Sequence, residues 1–251
     1  MSVSLSFDVD GEAGLACRPG SWAGRLSSVS ECRYGIARGL PRILAVLDAF
    51  AARATFYVPG VIARSDPGVV RELIAAGHEV AHHGHEHLPT HTLDEAGERG
   101  ELERGLAALQ DLGIRPLGYR SPAWELTPTT LRLLHEHDFA YDSSLMGDDR
   151  PYPLTDRLLE LPVHWSLDDV PYFAYHPTTG GHPTHPDTVL SIWRAEHDHA
   201  KAEDRHLTYT MHPDITGRPH RITLLQRLLD HLHTHHTPIT THEAVSAGAR
   251  A

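Results

Sequence analysis

The sequence predicts an α/β protein with a mainly parallel sheet or barrel. Three observations point there. Short apolar runs alternate with amphipathic helical patterns along the chain, and no linker separates one unit from the next. The polar residues of chemical interest fall at the carboxyl ends of the strand-like runs, where parallel α/β folds collect ligands. The 251 residues suffice for one large core, and a single domain over 1–251 is expected.

The elements follow in order. VSLSFDV (3–9) alternates apolar and polar residues like a strand. A loop rich in Gly, Ser and Cys runs from Gly11 to about Tyr34. From 34 to 53, Ile36, Leu40, Ile43, Val46, Leu47 and Phe50 recur at helical spacing. ATFYVPG (54–60) is a strand closed by Pro-Gly. DPGVVRELIAAG (66–77) opens on Asp-Pro and ends at Gly77, the punctuation of a short helix. HEVAHH (78–83) is a strand, 92–113 a long amphipathic helix, and PLGYRSP (116–122) a short strand ended by Pro. TPTTLRLLHEHD (127–138) has an N-cap and a Pro in the first helical turn. FAYDSSL (139–145) and LLELPV (158–163) are strand-like. Segment 146–186, rich in Pro, Gly, Tyr and Trp, reads as loops over a site. A helix over 187–203, a strand over 206–212, a helix over 221–235 and a last strand over 237–241 complete the chain.

Composition narrows the function. The net charge is −11 with no Lys/Arg-rich block, which argues against nucleic acid and anionic membranes, since both require a basic footprint. No apolar stretch approaches the ~20 residues of a transmembrane helix, and no export signal is evident, so a cytoplasmic location is expected. Cys17 and Cys32 show no CxxC or zinc-ribbon spacing and are expected to be free thiols and bystanders. Self-association is left open.

SFDVDGE (6–12) places two carboxylates, Asp8 and Asp10, at the end of the first strand. In an extended chain they share a face roughly 6.6 Å apart, and like charges so close need a cation or a proton between them. The histidine run 78–91 offers three i, i+4 pairs. His78 and His82 straddle a strand and lie too far apart, and Pro89 interrupts His87 and His91. His83 and His87 flank Gly84, where a helical turn brings side chains within roughly 5–6 Å. Asp10, His83 and His87 then form a facial set suited to a divalent ion, Zn²⁺ first, with iron, cobalt or nickel also compatible. Asp8 is placed as general base, His212 as general acid, and Arg120 as the cation that orients Asp8. HLHTHH (231–236) reads as the dipole-stabilised end of a helix rather than a second metal site. Trp124 and Trp165 either line the pocket or belong to the core.

These segments resemble the polysaccharide deacetylases of carbohydrate esterase family 4, the NodB-homology proteins. SFDVDGE is similar to the first family motif, HGHEH to the second, YRSP to the third, ELPVHWSLDD to the fourth and TYTMHP to the fifth. The resemblance implies a distorted (β/α)7 barrel, the same roles for Asp8, Asp10, His83, His87, Arg120 and His212, and an aspartate of the fourth motif supporting His212. Asp168 is assigned that support over Asp169. YDSSLMGDDRPY and MHPDITGRPHR further resemble a branch of peptidoglycan-deacetylase-like proteins and imide or amide hydrolases. The usual first motif has adjacent aspartates, whereas Val9 separates them here, a spacing familiar in that branch.

The expected activity is metal-dependent hydrolysis of a carbon–nitrogen bond, by N-deacetylation of an N-acetylated sugar or small amide. The partner is a small molecule or short saccharide, favoured by an aromatic loop that would cap an open groove. Ring opening of a cyclic imide or ureide uses the same parts. A glycosidase with Asp8 and Glu12 as its carboxylate pair would need no ion, and a metal- or ligand-binding protein would have no use for Asp8.

Overall fold

In a computed structural model of the protein the described residues are 1–18, 24–175, 180–181 and 183–250. The loop expected from Gly11 to Tyr34 and the segment 146–186 lie partly outside them, at 19–23, 176–179 and 182. The strands are β1 (Val3–Asp8), β2 (Thr55–Val58), β3 (Glu79–His82), β4 (Gly118–Tyr119), β5 (Tyr141–Asp142), β6 (Tyr152–Pro153), β7 (Leu159–Glu160) and β8 (Leu207–Met211). The helices are α1 (Leu26–Tyr34), α2 (Leu40–Ala49), α3 (Gly60–Ser65), α4 (Pro67–Ala75), α5 (Glu95–Gln110), α6 (Pro128–Glu136), α7 (Val170–Phe173), α8 (Pro186–Ala202), α9 (Ile222–Thr234) and α10 (His242–Arg250).

One curled sheet runs in the order β6-β7-β5-β4-β3-β2-β1-β8, parallel throughout except for the antiparallel β6–β7 pair. Beyond β7 the chain crosses to the other end of the sheet. There Asp168 bridges to Thr210 on β8, and the Asp169 N–H donates to the Thr210 carbonyl at 3.2 Å. The distorted barrel is thus an open sheet whose two edges a single crossing segment draws together.

All six residues of β1 are buried, as expected for a parallel strand covered on both faces. Val3, Leu5 and Phe7 join Ile43 and Leu47 of α2 and Leu225 and Leu229 of α9 in the main apolar core. Each such buried side chain contributes about 1.5–3 kcal/mol. Ser4, Ser6 and Asp8 alternate onto the other face and hydrogen-bond there, Ser6 to the Tyr209 carbonyl at 2.9 Å. The inner face is therefore polar along β1, beside a small apolar cluster of Tyr57, Ala81, Tyr141 and Leu161, while the main apolar core lies between sheet and helices.

Several elements differ from expectation. The helix expected over 34–53 begins earlier, as α1, and reaches α2 through a wide π-helical turn at Gly35–Gly39. Pro41 lacks the N–H that would bond the carbonyl four residues back, so the α pattern must open ahead of it. The last expected strand is reduced to one bridge, Val3 to Ile239, because Pro238 can offer only its carbonyl, which accepts from the Val3 N–H at 2.9 Å. α10 was not foreseen. Its His242 is fully buried, with Nδ1 2.6 Å from the Tyr57 hydroxyl. Among the described residues no helix is long and apolar enough to cross a membrane.

The wide turn lets α2 approach the loop that follows β8. A Cβ on Gly39 would lie 1.9 Å from the Pro213 carbonyl oxygen, and one on Gly35 2.9 Å from the Asp214 nitrogen. Both loop residues directly follow His212. Gly39→Ala is expected to destabilise the protein by about 1–3 kcal/mol, read as a lowered denaturant midpoint.

Candidate active site

The chain ends of β1, β3, β4 and β8 converge on one cleft of about 1090 Å³, lined by Asp8, Asp10, His83, His87, Trp124 and His212 among others. β1 stops at Asp8, and Val9 still donates its N–H to the Tyr57 carbonyl at 2.9 Å. Asp10 has left the strand, with φ −68° and ψ −35°, and precedes a 3-10 helix at Gly11–Cys17. The two carboxylates nevertheless face the same imidazole. His83 Nε2 lies 3.7 Å from Asp8 Oδ2 and 3.4 Å from Asp10 Oδ1.

His83 and His87 meet as expected, their Nε2 atoms 3.2 Å apart, but not through a helical turn. The loop bends by two left-handed residues, Gly84 at φ 71° and His87 at φ 61°. The reversal is held by Glu101 of α5, whose Oε2 accepts the N–H groups of His85 and Glu86 at 3.1 and 2.8 Å. Each ring is oriented through its far nitrogen. His83 Nδ1–H donates to the Arg120 carbonyl at 2.7 Å. His87 Nδ1 lies 3.2 Å from Cys17 Sγ, whose S–H donates back to the His87 carbonyl at 3.4 Å. Burial pushes the Cys17 thiol up to about 12, so it stays protonated in this contact. Cys17 and Cys32 are free thiols, but Cys17 is no bystander. With both Nδ1 atoms engaged, both Nε2 atoms face Asp10, and against burial Asp8 and Asp10 raise His83 above its ordinary value.

Asp10 Oδ1 completes a triangle at 3.4 Å from each Nε2, and it is buried with no hydrogen-bond donor. Burial favours the protonated acid. His87 and His83 outweigh it and hold the carboxyl well below the usual range. Burial holds His87 down, at about 4. A buried carboxylate oxygen facing two imidazole Nε2 atoms is the donor set a divalent ion would take, the ion replacing the proton that otherwise lies among them. At Zn–N and Zn–O bonds of roughly 2.0–2.2 Å, tetrahedral donors lie roughly 3.3–3.6 Å apart, so these residues fit the ion.

Asp8 is divided between its oxygens. Oδ1 accepts from Arg120 Nη1 at 2.7 Å, while Oδ2 faces His83 and His212 Nε2, the latter at 3.8 Å. Arg120 is fully buried. Its other donors reach Ser6 Oγ at 3.0 Å, the Ser143 carbonyl at 2.8 Å and Ser143 Oγ at 3.0 Å, and the guanidinium lies 4.1 Å from the Tyr57 ring centre.

The assignment of Asp168 to His212 is corrected. Asp169 Oδ1 accepts from His212 Nδ1 at 2.8 Å, and its Oδ2 accepts the His212 N–H at 2.9 Å and the Thr216 hydroxyl at 2.6 Å. Asp168 Oδ1 is 3.7 Å from His212 Nδ1 and instead accepts the Val170 N–H at 2.7 Å, at the start of α7. Burial opposes charge on His212, but Asp169 outweighs it and raises the imidazole well above its ordinary value. Burial pushes Asp168 up to about 7.

Trp124 and Trp165 stack at 4.3 Å between ring centres and wall the cleft. Glu12 pairs with Arg33 and is not among the cleft-lining residues, so it does not form a carboxylate pair with Asp8. Sequence reasoning missed Cys17, Ser143, Asp214 and the choice of Asp169. Asp214, in the cleft two residues after His212, is pushed up to about 6 by burial. Its place in MHPD was the available signal.

The polysaccharide deacetylase family model matches residues 34–141. A peptidoglycan deacetylase of Helicobacter pylori is 28% identical over 269 residues, covering 93% of this chain and 90% of its own. The crystal structure of a Mycobacterium smegmatis protein designated a polysaccharide deacetylase is 36% identical, with TM-score 0.93 over 99% of this chain and 89% of that one. The crystal structure of an allantoinase is 26% identical, with TM-score 0.84 over 98% of this chain and 88% of that one.

Arg120→Met leaves Asp8 buried without its counter-charge and is expected to destabilise the protein by about 3–5 kcal/mol, measured by denaturant unfolding. Asp169→Asn removes the charge that sustains the imidazolium. The alkaline limb of a kcat/KM profile, where His212 loses its proton, is therefore expected to move down by roughly 1–3 pH units.

Proposed function

Because this chain belongs to the polysaccharide deacetylase family, we propose that residues 1–251 carry one metal-dependent hydrolase domain acting on a carbon–nitrogen bond, most plainly an N-acetyl group on a sugar or a small amide. The observation that carries this reading is the pairing of the Asp10, His83 and His87 donor triangle with Asp8 Oδ2 on one side and, on the other, an imidazole, His212, whose pKa Asp169 raises. Asp10, His83 and His87 would hold the ion, Zn²⁺ in our reading. When bound it would polarise an acyl oxygen and acidify water.

The chain's own groups do the rest. Arg120 holds Asp8 Oδ1, which orients the carboxylate and turns Oδ2 to the cleft, where it takes the proton of an attacking water. His212 carries its proton on Nε2 and delivers it to the departing nitrogen, while Asp169 fixes the ring through Nδ1. One water is consumed, and a carboxylic acid and an amine leave. Asp8 and His212 touch the reacting atoms. Arg120 and Asp169 are positioning residues.

A second reading has support of its own. The likeness to an allantoinase and the stacked tryptophan wall favour a compact, ring-shaped amide opened by the same groups. A screen of N-acetyl sugars, linear amides and cyclic imides on one metal-analysed preparation separates the two.

Asp10→Ala and His87→Ala are expected to lose metal and turnover together. Asp8→Asn and His212→Ala are expected to keep metal and lose at least about 100-fold in kcat, the usual contribution of a positioned acid or base. Full turnover by Asp8→Asn would sink the mechanism.

A further inference from the structure

A second set of metal-type donors lies away from the cleft, between α8 and α9. His197 and Asp198 are neighbours on α8, and His231 comes from the last turn of α9. His231 Nε2 lies 3.0 Å from His197 Nδ1, Asp198 Oδ1 lies 3.3 Å from His197 Nδ1, and the remaining side, Asp198 Oδ1 to His231 Nε2, is 3.6 Å. The corresponding sides in the cleft are 3.2, 3.4 and 3.4 Å. The two triangles match closely, and both lie near the spacing of tetrahedral donors around a borderline divalent ion.

One tautomer of His197 suits a cation. His197 Nε2 lies 2.8 Å from Thr237 Oγ1, and with Nε2–H donated there, Nδ1 presents a lone pair. A proton on His231 Nε2 then faces two acceptors, His197 Nδ1 and Asp198 Oδ1, and a cation between the three atoms would take a lone pair from each. Positive charge in the surroundings comes from Arg194 and Lys201, the latter donating to the His235 carbonyl at 3.0 Å. The His235 ring centre is 4.1 Å from that of His231, but its Nδ1 is engaged with the His231 carbonyl at 2.8 Å. His197 is fully buried, whereas the Asp198 side chain is 61% exposed, so an ion has an entry from solvent.

We propose that His197, Asp198 and His231 form a second, structural site for a divalent ion of the Zn²⁺ type that staples α8 to α9. The position suits a staple rather than a catalyst. None of the three lines the cleft. Both helices pack on the side of the sheet where β1 and β8 pair, and the chain after α9 returns to β1 through Pro238 and Thr240.

The test is zinc stoichiometry by equilibrium dialysis and elemental analysis, on chelator-stripped full-length protein at neutral pH. Wild type is compared with Asp198→Asn and with the double variant Asp198→Asn/His231→Gln. The expected result is one equivalent fewer in the double variant than in wild type, an affinity for that equivalent at least tenfold weaker in Asp198→Asn, and a smaller zinc-induced rise in Tm in both. Because the readout is a difference between proteins with an intact cleft, it holds whether or not the cleft itself binds zinc. Equal stoichiometry and equal zinc response in wild type and double variant would overturn the proposal and leave an N–H···N contact between two helices. Asp198 is exposed, so the single variant decides the matter if the double variant does not fold.

Discussion

The buried guanidinium of Arg120 is the interaction on which the rest of the site depends. A charge fully removed from water is tolerated only when its donors are matched. Here they are shared between Ser6 and Asp8 on β1 and the carbonyl and hydroxyl of Ser143 after β5. The backbone of the same residue is used as well, since its carbonyl accepts the Nδ1 proton of His83 and its N–H donates to the His82 carbonyl at 3.0 Å. One residue thereby sets the orientation of a proposed base and of a proposed metal ligand. It also joins strands that come from the beginning and the middle of the chain.

Around that charge the cleft separates carboxylates of similar chemistry by their surroundings. Asp8 is tied on one oxygen by a guanidinium, Asp10 presents an oxygen without a donor, and Asp169 is saturated by an imidazole, a backbone N–H and a hydroxyl. Asp168, one residue away, is spent on the N–H of Val170. Away from the cleft, buried Glu160 accepts the N–H groups of Ser144 and Leu145, both at 3.0 Å, and so fixes the turn that presents Ser143 to Arg120. Neighbouring acids in the sequence thus serve separate purposes, distinguished by which donors the fold brings to them.

The legible part of the sequence was the part governed by local periodicity and by residue chemistry at strand ends. Most of the succession from β1 to α9 followed from apolar spacing, though α1, α3, β6 and α7 did not, and SFDVDGE, HGHEH, YR and TYTMH mark residues that do meet in space. What was hidden depends on tertiary partners. No local rule distinguishes Asp168 from Asp169, because the choice lies in which carboxylate reaches His212 at the end of β8. His87 adopts a left-handed conformation because Glu101, on a helix begun eight residues later, gathers the N–H groups of its loop. The partnership of Cys17 with His87 spans 70 positions and leaves no periodic trace. α10 is short and rich in small residues, and the buried contact of His242 with Tyr57, 185 positions earlier, had no local signal.

The wall that ends in the stacked indoles has an unusual foundation. Ala123 and Trp124 are consecutive non-glycine residues at φ 57° and 58°, a conformation that costs each about 1–2 kcal/mol. It persists because its neighbours hold it in place: Ser121 accepts the Trp124 N–H at 3.0 Å, and Trp165 covers the ring. A wall braced in this way does not readily reshape itself around whatever enters. On the proposed reading, discrimination at this edge of the cleft would follow a rigid template, with a guest that is too broad turned away rather than accommodated.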